Sequence, residues 1–388
     1  MNGLATGRSR RFMTVIGRAL RTLSAVAVLV GVLACAAPAE LDYRTALQQL
    51  LRERGLDPAN VVVPYGLTEE MRQWVHSVVS KNLGQADKLR RLSELLLDSD
   101  RFKLEYAWGF TGTASQVFTQ QKANCLAFTN LFVGMARELN VPVYFLAVER
   151  VETYRKEGDL VVVSDHVAVG YGDIHGDSMV FDFSEFRNEG YRDVRPISDM
   201  TAIAMFHSNR GAESLQTGEI DEALNWLRTS VAIDPELTPA WVNLGVVLRR
   251  AGDQRGAEDA YKHALEIDPR MISAYQNLAA LLSFQGRDRE ASSFLEVMRQ
   301  TPNRNPYSYL SLGDISLRNG HLEEARRYYR RAVNLSDGDA EVLAALGHAA
   351  AAAGDLRTAR KMLRRAQKID GDNPRTQRLA DLVKRSRG

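Results

Sequence analysis

The sequence predicts an α+β domain followed by an all-α solenoid. Two observations divide the 388 residues in this way, and a third marks the chemistry. In the second half Gly218, Gly252, Gly286, Gly320 and Gly354 recur every 34 residues, and Ala223, Ala257, Ala291, Ala325 and Ala359 stand five places after them. In the first half the helical spacing of apolar residues gives way after Pro142 to short β-rich runs broken by glycine. The chain has two cysteines, Cys35 at the end of one apolar run and Cys125 at the head of another. A disulfide framework is thereby disfavoured, and Cys125 is expected to be a free thiol.

Residues 1–35 come first. Arg8, Arg10, Arg11, Arg18 and Arg21 form a basic region with no acid, and Leu23 to Ala34 is apolar apart from one serine. That run is short for a membrane span and suits the core of an export signal. Val32, Leu33, Ala34 and Cys35 resemble a bacterial lipobox, although leucine at its second position is less usual. The resemblance implies lipidation of Cys35 and a chain anchored in the cell envelope, at the outer membrane facing the periplasm. Met13 is an alternative start, and plain secretion or a retained helix are the alternative fates. Removing the five arginines takes the formal charge from +2 to about −3, with 45 basic against 48 acidic residues, which argues against nucleic acid as a partner.

Residues 41–203 make the α+β domain. Leu41 to Gly55 reads as a helix stopped by glycine, Thr68 caps a second carrying Met71, Trp74, Val75 and Val78, and Leu89, Leu92, Leu95 and Leu96 mark a third. From Cys125 the chain is apolar on nearly every side to Leu139, then is stopped by Asn140 and Pro142, the pattern of a helix buried at a domain centre. Strands are expected at Val143 to Val151, Leu160 to Val163, His166 to Tyr171 and Met179 to Phe183.

Cys125, His166 and Asp182 are the three residue types that a thiol nucleophile, its base and the base's orienting group require. Asn124 as N-cap would put Cys125 in the first helical turn, where unpaired backbone N–H groups and the helix dipole favour a thiolate and can hold an oxyanion. A turn centred near His175 would set His166 and Asp182 across from each other to within about one pair position. Taken singly, each residue also has an ordinary reading as core or solvated side chain. Asp165, Asp173, His175 and Asp177 compete for the supporting roles. No cofactor is called for, and the few histidines and single free cysteine lack metal-ligand spacing.

The stretch from Gln121 to Pro142, with Asp165 to Val169 and Phe181 to Asp182, resembles the cysteine helix, histidine strand and aspartate strand of the transglutaminase-like superfamily. The resemblance covers roughly Thr68 to Phe183. It implies a papain-like fold and thiol chemistry on amide bonds, with Cys125, His166 and Asp182 as the catalytic residues. Ala123 departs from the glycine frequent two places before the family's cysteine, and the side-chain oxyanion donor stays open among Trp108, Gln116 and Gln120.

Residues 204–371 hold five 34-residue units, and that period is the tetratricopeptide signature. The clearest unit reads Trp241, Leu244, Gly245, Leu248, Gly252, Ala257, Tyr261, Ala264 and Pro269. The third and fourth units are weaker at their ends, at Pro302 and Asp337. Residues 372–388 are expected to form a capping helix whose stripe is Leu379, Leu382 and Val383. Arg360, Lys361, Arg364, Arg365 and Lys368 read as a solvated outer face. By the family's spacing Val242, Val246, Arg249, Gln276, Ser283, Tyr307, Leu310 and Asp314 should line the inner groove, which suits an extended or helical peptide; packing between units is the alternative for some of them, Val246 and Leu310 above all. The whole reads as an envelope-anchored cysteine enzyme, hydrolysis favoured over acyl transfer, with a protein-binding solenoid. A non-enzymatic scaffold carrying a degenerate thiol domain is the alternative.

Overall fold

The computed structural model describes residues 40–97, 102–107, 109–157, 160–173, 178–183, 194–301, 305–336 and 338–386. Residues 1–49 and 50–388 are separate units. Cys35, Trp108, His175, Asp177, Pro302 and Asp337 lie outside the described residues, as does the side chain of Asp165.

The first helix, α1, runs Glu40–Glu53, and Gly55 beyond it takes a left-handed φ of +74°. The second, α2, is Glu69–Val78, capped by the Thr68 hydroxyl on the Met71 N–H at 3.3 Å, and α3 is Gln85–Leu97. Met71 and Val75 of α2 and the four expected leucines of α3 are buried. Two short strands, β1 at Glu105–Tyr106 and β2 at Lys122–Ala123, pair in parallel around α4 at Ala114–Gln120. None of these three short elements is expected from the sequence. They fall below the length at which periodicity speaks, and α4 is set by a reciprocal Thr113–Gln116 capping box.

The central helix α5, Cys125–Glu138, buries every residue from Leu126 to Ala136, a run apolar but for Thr129 and Asn130. It lies on a four-stranded antiparallel sheet of order β5-β4-β3-β6, built from β3 at Val143–Glu157, β4 at Leu160–Gly172, β5 at Ser178–Phe181 and β6 at Val194–Ile197. The two runs expected at Leu160 and His166 are one strand. An irregularity in β3 between Val148 and Thr153 lets the ladder continue past the site where the pattern breaks. Neighbouring strands pair by register, so a strand can persist through residues whose own pattern is interrupted.

The remaining chain is helical. The helix α6, Asp199–Gln216, begins before residue 204 because Ser198 caps it through the Thr201 N–H at 3.0 Å. It pairs with α7 at Ile220–Ile233. Four more pairs follow, α8 Thr238–Arg250 with α9 Gln254–Ile267, α10 Ile272–Phe284 with α11 Asp288–Gln300, α12 Pro306–Arg318 with α13 Leu322–Leu335, and α14 Ala340–Ala352 with α15 Leu356–Asp370, and α16 at Pro374–Arg385 ends the array. The five periodic glycines end the first helix of each pair with φ between +75° and +88°, where a side chain would be strained. The five periodic alanines are buried where paired helices cross. Leu379 and Val383 of α16 are buried, but Leu382 is 39 % exposed, so the expected capping stripe is narrower and includes Thr376.

Candidate active site

Asn124 fixes the start of α5 through its hydrogen bonds, its carbonyl accepting from the Phe128 N–H at 3.0 Å. Its Oδ1 accepts from the Ala127 N–H at 2.8 Å, its Nδ2 donates to the Thr111 hydroxyl at 2.7 Å, and its backbone N–H donates to the Phe110 carbonyl at 3.3 Å. Ahead of it, the Glu105 and Ala107 N–H groups donate to the carbonyls of Gln121 and Ala123, each at 2.8 Å. Gln121 sits at φ 54°, a left-handed conformation that costs a non-glycine residue on the order of 1 kcal/mol. Ala123, the departure from glycine, is buried within this ladder. Cys125 follows as the first helical residue, a free and partly exposed thiol.

His166 comes to the same place from β4, opposite Val148, and is 7 % exposed. Its Nε2 is 2.9 Å from Oδ1 of Asp182, whose side chain is 4 % exposed, and Cys125 is near enough to act on its charge. With Nε2 engaged by the carboxylate, Nδ1 is the nitrogen left for the sulfur. Asp182 lies one residue beyond β5. Continuing the Val169–Phe181 register puts it across from Ala168, so its approach to His166 is diagonal. Phe181 and Phe183 hold it there by stacking on Phe132 and Phe128 of α5, each at 5.0 Å between ring centroids.

Burial disfavours the charged imidazole, but the hydrogen bond to Asp182, the charge of Cys125 and the charge of Asp182 outweigh it. The His166 pKa is raised to about 10. The shift favours the imidazolium, the state that would stabilise a thiolate beside it.

Among the oxyanion candidates, Gln116 is exposed with its side-chain oxygen accepting from the Thr113 N–H at 2.9 Å, and Gln120 is exposed at the end of α4. Asp173 is exposed, whereas the Asp182 side chain is 4 % exposed. Thr111, which orients the N-cap, has no sequence signal because it lies 13 residues upstream of Asn124 in a segment without regular structure.

The expected groove needs correction. Val242 is fully buried between α8, α9 and α10 with Ala264 and Ala274, while Val246 and Leu310 are buried in the two larger solenoid cores. Gln276 is also buried, donating to the Tyr307 carbonyl at 3.2 Å and the Ser311 hydroxyl at 2.9 Å. Arg249, Ser283, Tyr307 and Asp314 remain partly exposed. Tyr307 is committed to Asp339 at 2.9 Å, and Asp314 to Arg375 by two bonds of 2.9 Å. In addition β4, the strand carrying His166, packs against α8 and α10, so part of the solenoid face already meets the chain's own sheet.

The tetratricopeptide repeat family matches twice, at residues 238–271 and 316–382. Similar solved structures include PilF of Pseudomonas aeruginosa, at 23 % identity over 49 % of this chain and 87 % of that one, with a TM-score of 0.43. A thermophilic tetratricopeptide protein of Thermus thermophilus is 20 % identical over 46 % of this chain and 98 % of that one, with a TM-score of 0.41. An APC/C hetero-tetramer is 20 % identical over 47 % of this chain, with a TM-score of 0.43, and this chain spans 36 % of that one. No curated protein matches. The tetratricopeptide matches at 238–271 and 316–382 fall within the array of paired helices that runs from α6 to α16, and proteins built of such repeats bind peptides or proteins.

Proposed function

We propose that the chain is a transglutaminase-like cysteine enzyme of papain-like fold that cleaves peptide or protein amide bonds, with the solenoid binding the protein partner. The observation that carries this reading is a buried His166–Asp182 pair at 2.9 Å beside a cysteine at a helix start. In this mechanism the Cys125 thiolate adds to the amide carbonyl carbon, and first-turn N–H groups receive the charge on the oxygen. Collapse of that intermediate breaks the C–N bond, and His166 gives its proton to the departing amine. Water then adds to the thioester carbonyl, losing a proton to His166, and cleavage of the C–S bond releases the acid and returns Cys125 as the thiolate. An amine arriving in place of water would give acyl transfer from the same intermediate.

Iodoacetamide labelling located by peptide mass spectrometry tests the site. Cys125 is expected to react about tenfold faster than glutathione at pH 7, where an ordinary thiol is only a few per cent ionised. Full-length Cys125→Ala protein should capture its substrate from envelope extracts without cleaving it. Full cleavage by that variant would end the catalytic assignment. A solenoid scaffold without turnover is the second reading, favoured by family matches that fall on the solenoid alone. It predicts labelling no faster than glutathione.

For location, the proposal is a lipid anchor at Cys35, motivated by the apolar run that ends there. No helix among the described residues is long and apolar enough to cross a membrane. Cys35→Ser should move the protein from the membrane to the soluble fraction or stall its processing. A mature N-terminus found elsewhere by mass spectrometry would refute the anchor.

A further inference from the structure

Thr111 is 1 % exposed in a stretch with no regular secondary structure, so its backbone N–H must find a partner other than water. That partner comes from the solenoid. Oε1 of Glu213, near the C-terminal end of α6, accepts from the Thr111 N–H at 2.7 Å, and Oε2 accepts from Arg210 at 2.8 Å. The Glu213 side chain is 17 % exposed, and Arg210 in turn lies over the Trp226 ring of α7 at 5.6 Å. From Thr111 the path continues through its hydroxyl to Asn124 Nδ2 at 2.7 Å and from Asn124 Oδ1 to the Ala127 N–H at 2.8 Å, ending at the turn that opens with Cys125.

We propose that Glu213 is a positioning residue for Cys125, and that the first helix pair of the solenoid thereby sets the geometry of the thiol site. The proposal rests on the reading of Cys125 as a nucleophile. A carboxylate that holds a buried loop N–H loses several solvating waters, and it stays in place because Arg210 neutralises it. Thr111 cannot shift without rotating its hydroxyl away from Asn124, and Asn124 cannot rotate without releasing the Ala127 N–H. The N-cap is thus held from outside its own domain. A change in the packing of α6 on α7, such as a partner bound to the solenoid could impose, reaches the cysteine along this path. The cleaving half is for this reason not an independent unit ending at residue 203.

The test compares full-length Glu213→Ala and Glu213→Gln with the wild type. Glutamine keeps an oxygen that can accept from the Thr111 N–H, and alanine does not. Alkylation of Cys125 by iodoacetamide at pH 7 is expected to slow about tenfold in Glu213→Ala, to the rate of an ordinary thiol, and to stay within about twofold of wild type in Glu213→Gln. Hydrogen exchange at the Ala127 amide reports the cap directly. It should accelerate about tenfold in the alanine variant, the loss of roughly one cap hydrogen bond, while amides from Leu131 to Ala136 keep their protection. Unchanged alkylation and unchanged Ala127 exchange in Glu213→Ala would overturn the proposal, as would equal damage by both substitutions. If wild-type Cys125 reacts no faster than glutathione, the enzyme reading fails, and the Ala127 exchange alone then decides whether Glu213 holds the cap.

Discussion

His166→Ala is expected to cut turnover on a true substrate by about 10²–10⁴-fold, the usual range for a general acid–base group, while leaving the helices folded. Its signature is a changed pH profile of Cys125 alkylation. In the wild type the raised His166 pKa favours an imidazolium beside the thiol, so alkylation at neutral pH should be faster than in the variant. In the variant the rate should rise only with ionisation of an ordinary thiol near ~8.5. A stability effect accompanies it. The folded pKa of His166 is raised above its ordinary 6.5, so its stabilising contribution is fully present below about pH 6.5 and is lost as pH rises through about 10. The stability difference between wild type and His166→Ala, read by urea titration, should therefore shrink from pH 7 to pH 10. At neutral pH it should amount to about 3 kcal/mol, because Asp182 is left buried without its partner. Asp182→Asn should act in the same direction but less severely on turnover, since the geometry survives and only the orientation of the ring is lost. Identical alkylation profiles for wild type and His166→Ala would sink the pairing of these residues.

Gly313→Ala is expected to destabilise the solenoid by about 1–3 kcal/mol without touching the thiol site. A methyl group there would stand 2.4 Å from the Tyr329 ring. The ring has nowhere to go: Tyr329 is 1 % exposed, and its hydroxyl donates to Asp314 at 2.7 Å, a carboxylate also held by Arg375. The added atom therefore either strains the helix crossing or breaks a network that ties α12, α13 and α16 together. Each repeat in such an array is stable only through its neighbours, so the loss should spread along the C-terminal units. A lowered urea midpoint together with an unchanged rate of Cys125 alkylation is the expected pair of results. An unchanged midpoint would show that the crossing is looser than the 2.4 Å approach requires.

The features legible in the sequence were those whose cause is local or periodic. The 34-residue spacing placed every turn glycine and crossing alanine of the solenoid, because one repeated supersecondary unit must solve the same packing problem each time. The polar Asn124 ahead of a mostly apolar run marked where α5 starts, which put Cys125 in its first turn. The order of Cys125, His166 and Asp182 was likewise readable, and β4 pairs with β5 about residue 175 as expected, which leaves Asp182 diagonal to His166; the stacking of Phe181 and Phe183 on α5 that holds Asp182 there was not readable. What only the tertiary structure decided were contacts between residues far apart in the chain. Repeat spacing assigned Val242, Val246 and Leu310 to an inner face, yet the stacking of adjacent units covers them, because an apolar side chain at such a position gains more from its neighbours than from solvent. Nor could any periodicity announce that Glu213 supplies the acceptor for Thr111, 102 residues earlier. Such a bond is specified by two buried groups that each need a partner, and only the folded chain brings them within reach.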